Sequence, residues 1–265
     1  MHRSTNHLLA ILTLSLIAQL ICEQRIFAGS TPVVGLETPL FTTTIKLEMD
    51  KDVSPPEPAI LNCYVYKNYT FVQFSRPSLR GAESIEIRPK TAQGDKSSLE
   101  SFCVKEFSGA KLVIKPDDGY FLGSLKNYLF IDCSDPHGGA CDFSLFDANN
   151  GSKVLHDTYQ NTYPFSLRET DKKLSLEYYK SLSQKSRETC FPVEKDYRCW
   201  IAILKENNIP KKHHHPLPDC KKTFAHDSAL EMNYRTQFSI PVQRIVGKKP
   251  TTIYLKSVPG CDLNP

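Results

Sequence analysis

Alternation of apolar and polar positions runs through most of this chain. In FTTTIKLEM, residues 41–49, Ile45, Leu47 and Met49 share one face. A period of two rich in β-branched residues predicts a half-buried strand. AILNCYVY, YTFVQF, SIEIRP (84–89), NYLFIDC, KLSLEYY, TQFSIPVQRIV and TTIYLKSV continue the pattern. Two hairpins are predicted. In KLVIK–PDDG–YFLGS, Pro116 presets a turn and Gly119 tolerates positive φ. In FSLFD–ANNG–SKVLHD, Asn150 and Gly151 supply left-handed conformations. One segment has a helical period: in YRCWIAILKE, 197–206, Trp200, Ile203 and Leu204 stand at i, i+3 and i+4, with Asp196 as N-cap. The expected fold is mainly β, an antiparallel sandwich or barrel or a propeller-like sheet array, with a short helix near 197–206. No internal repeat of roughly 20–50 residues stands out, which weighs against a regular propeller.

The start of the chain departs from this pattern. Arg3 precedes an apolar run from Leu8 to Ile21, 14 residues long, where a bilayer span needs about 20. It reads as a secretory signal peptide over 1–22, with cleavage as late as Ala28. Residues 29–58 then form an N-terminal strand and the proline-rich connector MDKDVSPPEP, and 59–265 the main β-rich domain. No later segment is apolar enough to cross a membrane, so no transmembrane segment is expected after signal removal, and the location is secreted or periplasmic.

Export changes how the cysteines read. Of nine, eight follow the signal: Cys63, Cys103, Cys133, Cys141, Cys190, Cys199, Cys220 and Cys261. An even count in an oxidising compartment implies disulfides, although eight cysteines allow about a hundred pairings. Loop-closure entropy favours near neighbours, Cys63–Cys103, Cys133–Cys141, Cys190–Cys199 and Cys220–Cys261. The turn-forming loop SDPHGGA favours the second pair most. The absence of any C-x-x-C argues against zinc–thiolate sites.

At NYLFIDC…FSLFDANNGSKVLHDTY, Asn127 to Tyr159, the chain resembles uncharacterised exported β-rich proteins of Gram-negative bacteria. The shared run is strand, glycine-containing loop, strand, a D-x-x-x-G-x-K turn and strand. The resemblance implies export and carries over no catalytic residue.

Charge is uneven. Residues 205–249 hold nine Lys/Arg and four Asp/Glu, hence +5, while the whole chain is +4 and the rest therefore −1. A basic segment favours anionic glycans, lipid head groups or acidic proteins, set against an ordinary solvated surface. No nucleic-acid motif is present, and nucleic acid is not an expected partner. The segment contains KKHHHPLPDC, 211–220. In an extended chain His213 and His215 face one way and His214 the other, so the first two offer ligands for zinc or copper. Such a site needs a further ligand, and Asp219 reaches only if the chain folds back. Otherwise the histidines add charge near pH 6 to a basic loop, blunted by Lys211, Lys212, Lys221 and Lys222.

Familiar enzyme motifs are absent: no G-x-S-x-G elbow, H-E-x-x-H helix, phosphate-binding loop or dinucleotide fingerprint. Asp132, Asp135 and Asp142 lack calcium-loop spacing and read as turn residues. Asn68-Tyr69-Thr70 and Asn150-Gly151-Ser152 are glycosylation sequons if the source is eukaryotic. Tyr64, Tyr66, Tyr69, Phe71 and Phe74 read chiefly as core, with an exposed aromatic platform as the alternative. The functional expectation is an exported, non-enzymatic binding protein contacting anionic envelope or host components through Lys211, Lys212, Lys221, Lys222, Lys248 and Lys249. No cofactor is expected beyond zinc or copper at His213 and His215. The alternatives are a metal-dependent hydrolase using those histidines and a secreted enzyme inhibitor.

Overall fold

The structure, a computed structural model, describes residues 31–50, 56–89, 96–104, 112–116, 119–133, 139–170, 173–183, 197–220, 235–247 and 249–264. The alternating segments form two sheets. The first is a five-stranded antiparallel meander: β2 (Phe41–Asp50), β3 (Glu57–Val65), β4 (Tyr69–Ser75), β5 (Ser84–Pro89) and β6 (Leu112–Ile114). Its order follows the sequence: short connections join β2 to β5 in turn, and a longer one joins β5 to β6. Helix α1 (Lys96–Val104) lies between β5 and β6.

The second sheet has ten strands. β7 (Gly119–Leu125), β8 (Tyr128–Cys133), β9 (Ala140–Asp147) and β10 (Lys153–Gln160) form an antiparallel meander. β11 (Phe165–Thr170) pairs with β12 (Lys173–Ser181), which pairs on its other edge with β13 (Arg235–Val246). The ends of β13 carry β14 (Thr251–Tyr254) and β15 (Gly260–Asn264). β1 (Val33–Val34) adds to β11 in parallel. Its exit needs glycine: Gly35 has φ +98°, and a Cβ there would lie 2.0 Å from the Leu167 carbonyl oxygen. The chain turns a corner between β10 and β11, and β10 meets β12 through a single register pair, Tyr159 with Lys180. The sheet is thus curled, with a weak seam.

Burial follows from the period of two. β8 is covered on both faces: Leu129 and Ile131 face one core and Phe130 the other, all nearly inaccessible. The first core lies between the sheets. Tyr66, Phe71, Ile85, Ile87 and Ile114 meet Phe121, Leu129, Ile131 and Phe146. Ring pairs Phe71–Phe121 at 4.8 Å and Tyr64–Phe121 at 4.7 Å fill its centre. A register shift in β7 falls beside Phe121, whose N–H donates to the buried Gln73 Oε1 at 2.7 Å across the sheets. The second core lies inside the curl. Phe130, Phe143, Tyr159, Phe165 and Tyr178 stack there, and helix α2 (Tyr197–Glu206) closes it with Trp200, Ile203 and Leu204. A smaller cluster joins Cys63, Val65 and Val72 to Cys103 of α1.

The fold is mainly β, as the pattern predicts, and α2 spans the predicted 197–206. Cys63–Cys103, Cys133–Cys141 and Cys220–Cys261 are disulfides. Cys199 is also disulfide-bonded, while Cys190, like the signal segment and Asp196, lies outside the described residues. One hairpin is corrected. β6 pairs with β5 and β7 with β8, so the PDDG segment carries the chain from one sheet to the other. Ile114 and Phe121 enter the same core from opposite sheets, which a flat hairpin would not allow. The β9–β10 hairpin is present, but only Gly151 takes positive φ, +70°; Asn150 does not. Helix α1 is unanticipated. Among its described side chains, Leu99 and Cys103, at i and i+4, join the buried cluster, too short a run to register as a period.

Candidate functional site

The histidine segment begins where α2 ends. Lys211–His213 form a single 3-10 turn, and His214 returns to extended geometry at φ −67°, ψ 119°. The simple alternation expected for an extended chain therefore starts only after His213. Each histidine has a separate role. The His213 ring lies on the Tyr254 ring, centroids 4.8 Å apart. His214 Nε2 is 3.0 Å from the Ile209 carbonyl oxygen. His215 is 8% exposed, its carbonyl accepts from Trp200 Nε1 at 2.8 Å, and its Nε2 is buried with no hydrogen-bond partner among the described residues. Burial holds the His215 imidazole below its ordinary pKa, with His213 adding to the effect, so desolvation ranks ahead of the lysine repulsion expected from sequence. Past the prolines, Cys220 bonds Cys261 in β15. The turn is thus held by a helix, a strand and a disulfide, while Lys211 and Lys212 point into solvent.

Lys249 is exposed just before β14, and Lys256 is exposed just after it. Lys221, Lys222, Lys248 and His226 lie outside the described residues. Among the described residues, His213 and His215 belong to no group of three metal-capable side chains. Such a group does occur at Asp132, Cys133 and Cys141, but its two sulfurs are the halves of one disulfide and hold no metal. The sequon residues Asn68 and Asn150 are both exposed, and Tyr69 OH donates to Asn149 Oδ1 at 2.5 Å, tying the two sequon turns together. Tyr64, Tyr66, Tyr69 and Phe71 pack in or against the inter-sheet core.

The curled sheet also holds polar groups that sequence reading missed. Asp157 of β10 accepts from Tyr178 OH at 2.6 Å through Oδ2 and from Lys180 through Oδ1, both on β12. Burial and the Asp157 carboxylate raise the Tyr178 phenol, so it stays a donor. Next along the same face, Arg244 donates to Thr252, and Tyr254 leads to His213. A signal existed: Asp157 lies between Leu155 and Tyr159 on the apolar face of β10, and Lys180 follows Leu176 and Tyr178 on that of β12. A charge on the apolar side of an alternating strand marks a buried pair. Chemically this cluster is a strap across the seam where β10 and β12 share one register pair.

A second carboxylate, on a half-buried residue, lies nearby. Asp132 Oδ2 accepts from Tyr159 OH at 2.8 Å, and burial pushes the carboxyl up to about 7 against the hydrogen bonds from Tyr159 and the Cys133 backbone. Asp142, in contrast, is exposed and accepts from Thr158. Both are strand residues, so turn chemistry, the expectation from sequence, explains neither; Asp135 lies outside the described residues. Comparison with known proteins finds no matching family model, no matching curated protein and no matching solved structure. Among the described residues no helix is long and apolar enough to cross a membrane.

Proposed function

We propose that the chain is an exported, non-enzymatic binding protein whose basic turn at Lys211 and Lys212 engages a partner bearing closely spaced anionic groups. One observation carries this reading: the turn is fixed from several sides while both ammonium groups stay exposed. A loop already ordered in the free protein loses little conformational entropy on contact. Lys249 and Lys256, exposed at either end of β14, extend the positive field beside it. The disulfides support an oxidising, exported setting.

The test is binding of the disulfide-intact protein to a sulfated-glycan column and, separately, to vesicles of phosphatidylserine and phosphatidylcholine. K211S/K212S is expected to weaken the productive arm by roughly an order of magnitude, and rising salt to abolish it. Unchanged retention of the variant on both supports counts against the proposal. K221S/K222S, made separately, shows whether the contact extends past Cys220.

A further inference from the structure

Among the described disulfide pairs, Cys133–Cys141 differs from the others. Cys63, Cys103, Cys220 and Cys261 are all buried, at 0%, 1%, 4% and 3% exposure. Cys141 is equally buried at 1%, but Cys133, at the end of β8, is only half-buried. Beside the hidden sulfur stands an acid: Asp132 Oδ1 lies 3.1 Å from Cys141 Sγ. An external thiol thus has one sulfur to reach and a second to expel, with a proton source in contact with the second.

We propose that Cys133–Cys141 is a reducible disulfide, opened by a low-molecular-weight thiol at Cys133 while Asp132 delivers a proton to the departing Cys141 sulfur. The incoming thiolate attacks Cys133 Sγ, forming a mixed disulfide as the Cys133–Cys141 bond breaks. The electron pair of that bond leaves on Cys141, which takes the Asp132 proton and becomes a thiol. A second thiolate attacks the small-molecule sulfur, forming the external disulfide and releasing Cys133 as a thiolate. Two thiols are oxidised, the protein disulfide gains two electrons, and solvent returns a proton to Asp132 and, as needed, to Cys133.

The surroundings suit proton transfer near neutrality. From β10, Tyr159 donates to the other carboxylate oxygen. From β7 the register partner of Asp132 is Tyr120, and from β9 it is Phe143, with Asp142 exposed beyond Cys141. Among the described residues no cation shifts Asp132, and Asp135 and His137 of the adjoining loop lie outside them. Burial therefore keeps a share of the carboxyl protonated up to about pH 7. Above that, a carboxylate against the sulfur opposes a second negative charge there.

The experiment incubates the intact native protein with glutathione from pH 5.5 to 8.5, quenches with acid, alkylates, and maps each cysteine by mass spectrometry. Among the three described pairs, reduction is expected first at Cys133–Cys141, at least about tenfold ahead of Cys63–Cys103 and Cys220–Cys261. Divided by the thiolate concentration, the wild-type rate is expected to fall about tenfold between pH 6 and 8. D132N is expected to be flat across that range. Y159F removes a hydrogen bond that favours the carboxylate, so its fall moves to higher pH, which keeps the test open should D132N fail to fold. A solvent isotope effect below pH 7 is expected in the wild type and not in D132N, separating proton delivery from a through-space charge effect. Earlier reduction of either buried pair, a flat wild-type profile or a missing isotope effect overturns the proposal.

Discussion

The two large cores are built differently. Between the sheets the contact is mainly apolar, with rings of Tyr64, Tyr66, Phe71 and Phe121 at its centre and Gln73 as one of a few cross-sheet polar links. Inside the curl, the ring cluster of Phe130, Phe143, Phe165 and Tyr178 is bordered by ionisable groups: Asp132 under Tyr159, and Asp157 under Tyr178 and Lys180. Strand pairing explains the difference. The first sheet is a continuous meander whose backbone groups satisfy one another. The second splits at a corner, where one register pair joins β10 to β12, and side-chain hydrogen bonds hold what the ladder does not. A packed face needs only shape; a seam needs directional contacts.

The largest expected effect is in the apolar core. F71A removes a fully buried ring and is expected to cost about 3–5 kcal/mol in chemical denaturation. Because β8 is buried on both faces, the loss is expected to lower one common transition. Two separated transitions would show that the cores unfold independently.

A smaller loss is expected at the seam. D157N weakens the acceptor for Tyr178 OH and leaves Lys180 without its ion partner, at a cost of about 1–3 kcal/mol. Lys180 is 27% exposed and can turn to water, which keeps the figure near the low end. A loss matching F71A would mean that the seam, rather than the apolar core, dominates stability.

The smallest effect is local and pH-dependent. The folded His215 pKa lies below the ordinary 6.5, so the unfolded or opened segment takes up a proton first as pH falls. The stability this site contributes is present above 6.5 and is lost on acidification through and below that value. Trp200, the chain's one tryptophan, donates to the His215 carbonyl and reports the event. A red shift of its emission between about pH 6.5 and 5, absent in H215N, is expected. Emission flat over that range would show that the His215 segment stays packed when protonated.

The legible parts of the sequence were those with local causes. Alternation predicted most strands, the i, i+3, i+4 set predicted α2, and neighbour pairing predicted Cys63–Cys103, Cys133–Cys141 and Cys220–Cys261. The PDDG segment misled because turn residues specify a reversal without saying which strand receives the chain afterwards. Around the candidate site, the sequence marked Lys211 and Lys212 by charge, and the structure leaves both exposed. What it could not show was the anchoring: Trp200 on the His215 carbonyl, His213 on Tyr254, and Cys220 on Cys261 join positions that lie up to 41 residues apart. The carboxylate straps were hidden for the same reason. Asp157 and Lys180 become partners only after the chain turns the corner between β10 and β11.

Hydrogen exchange of D157N against the wild type, resolved by segment, tests the contrast between the cores most directly. The expected result is faster exchange across residues 153–160 and 173–181, with the strands from 57 to 89 unchanged. Equal acceleration in both sheets, or none in either, would contradict the view that side chains hold the curl closed where backbone pairing gives out.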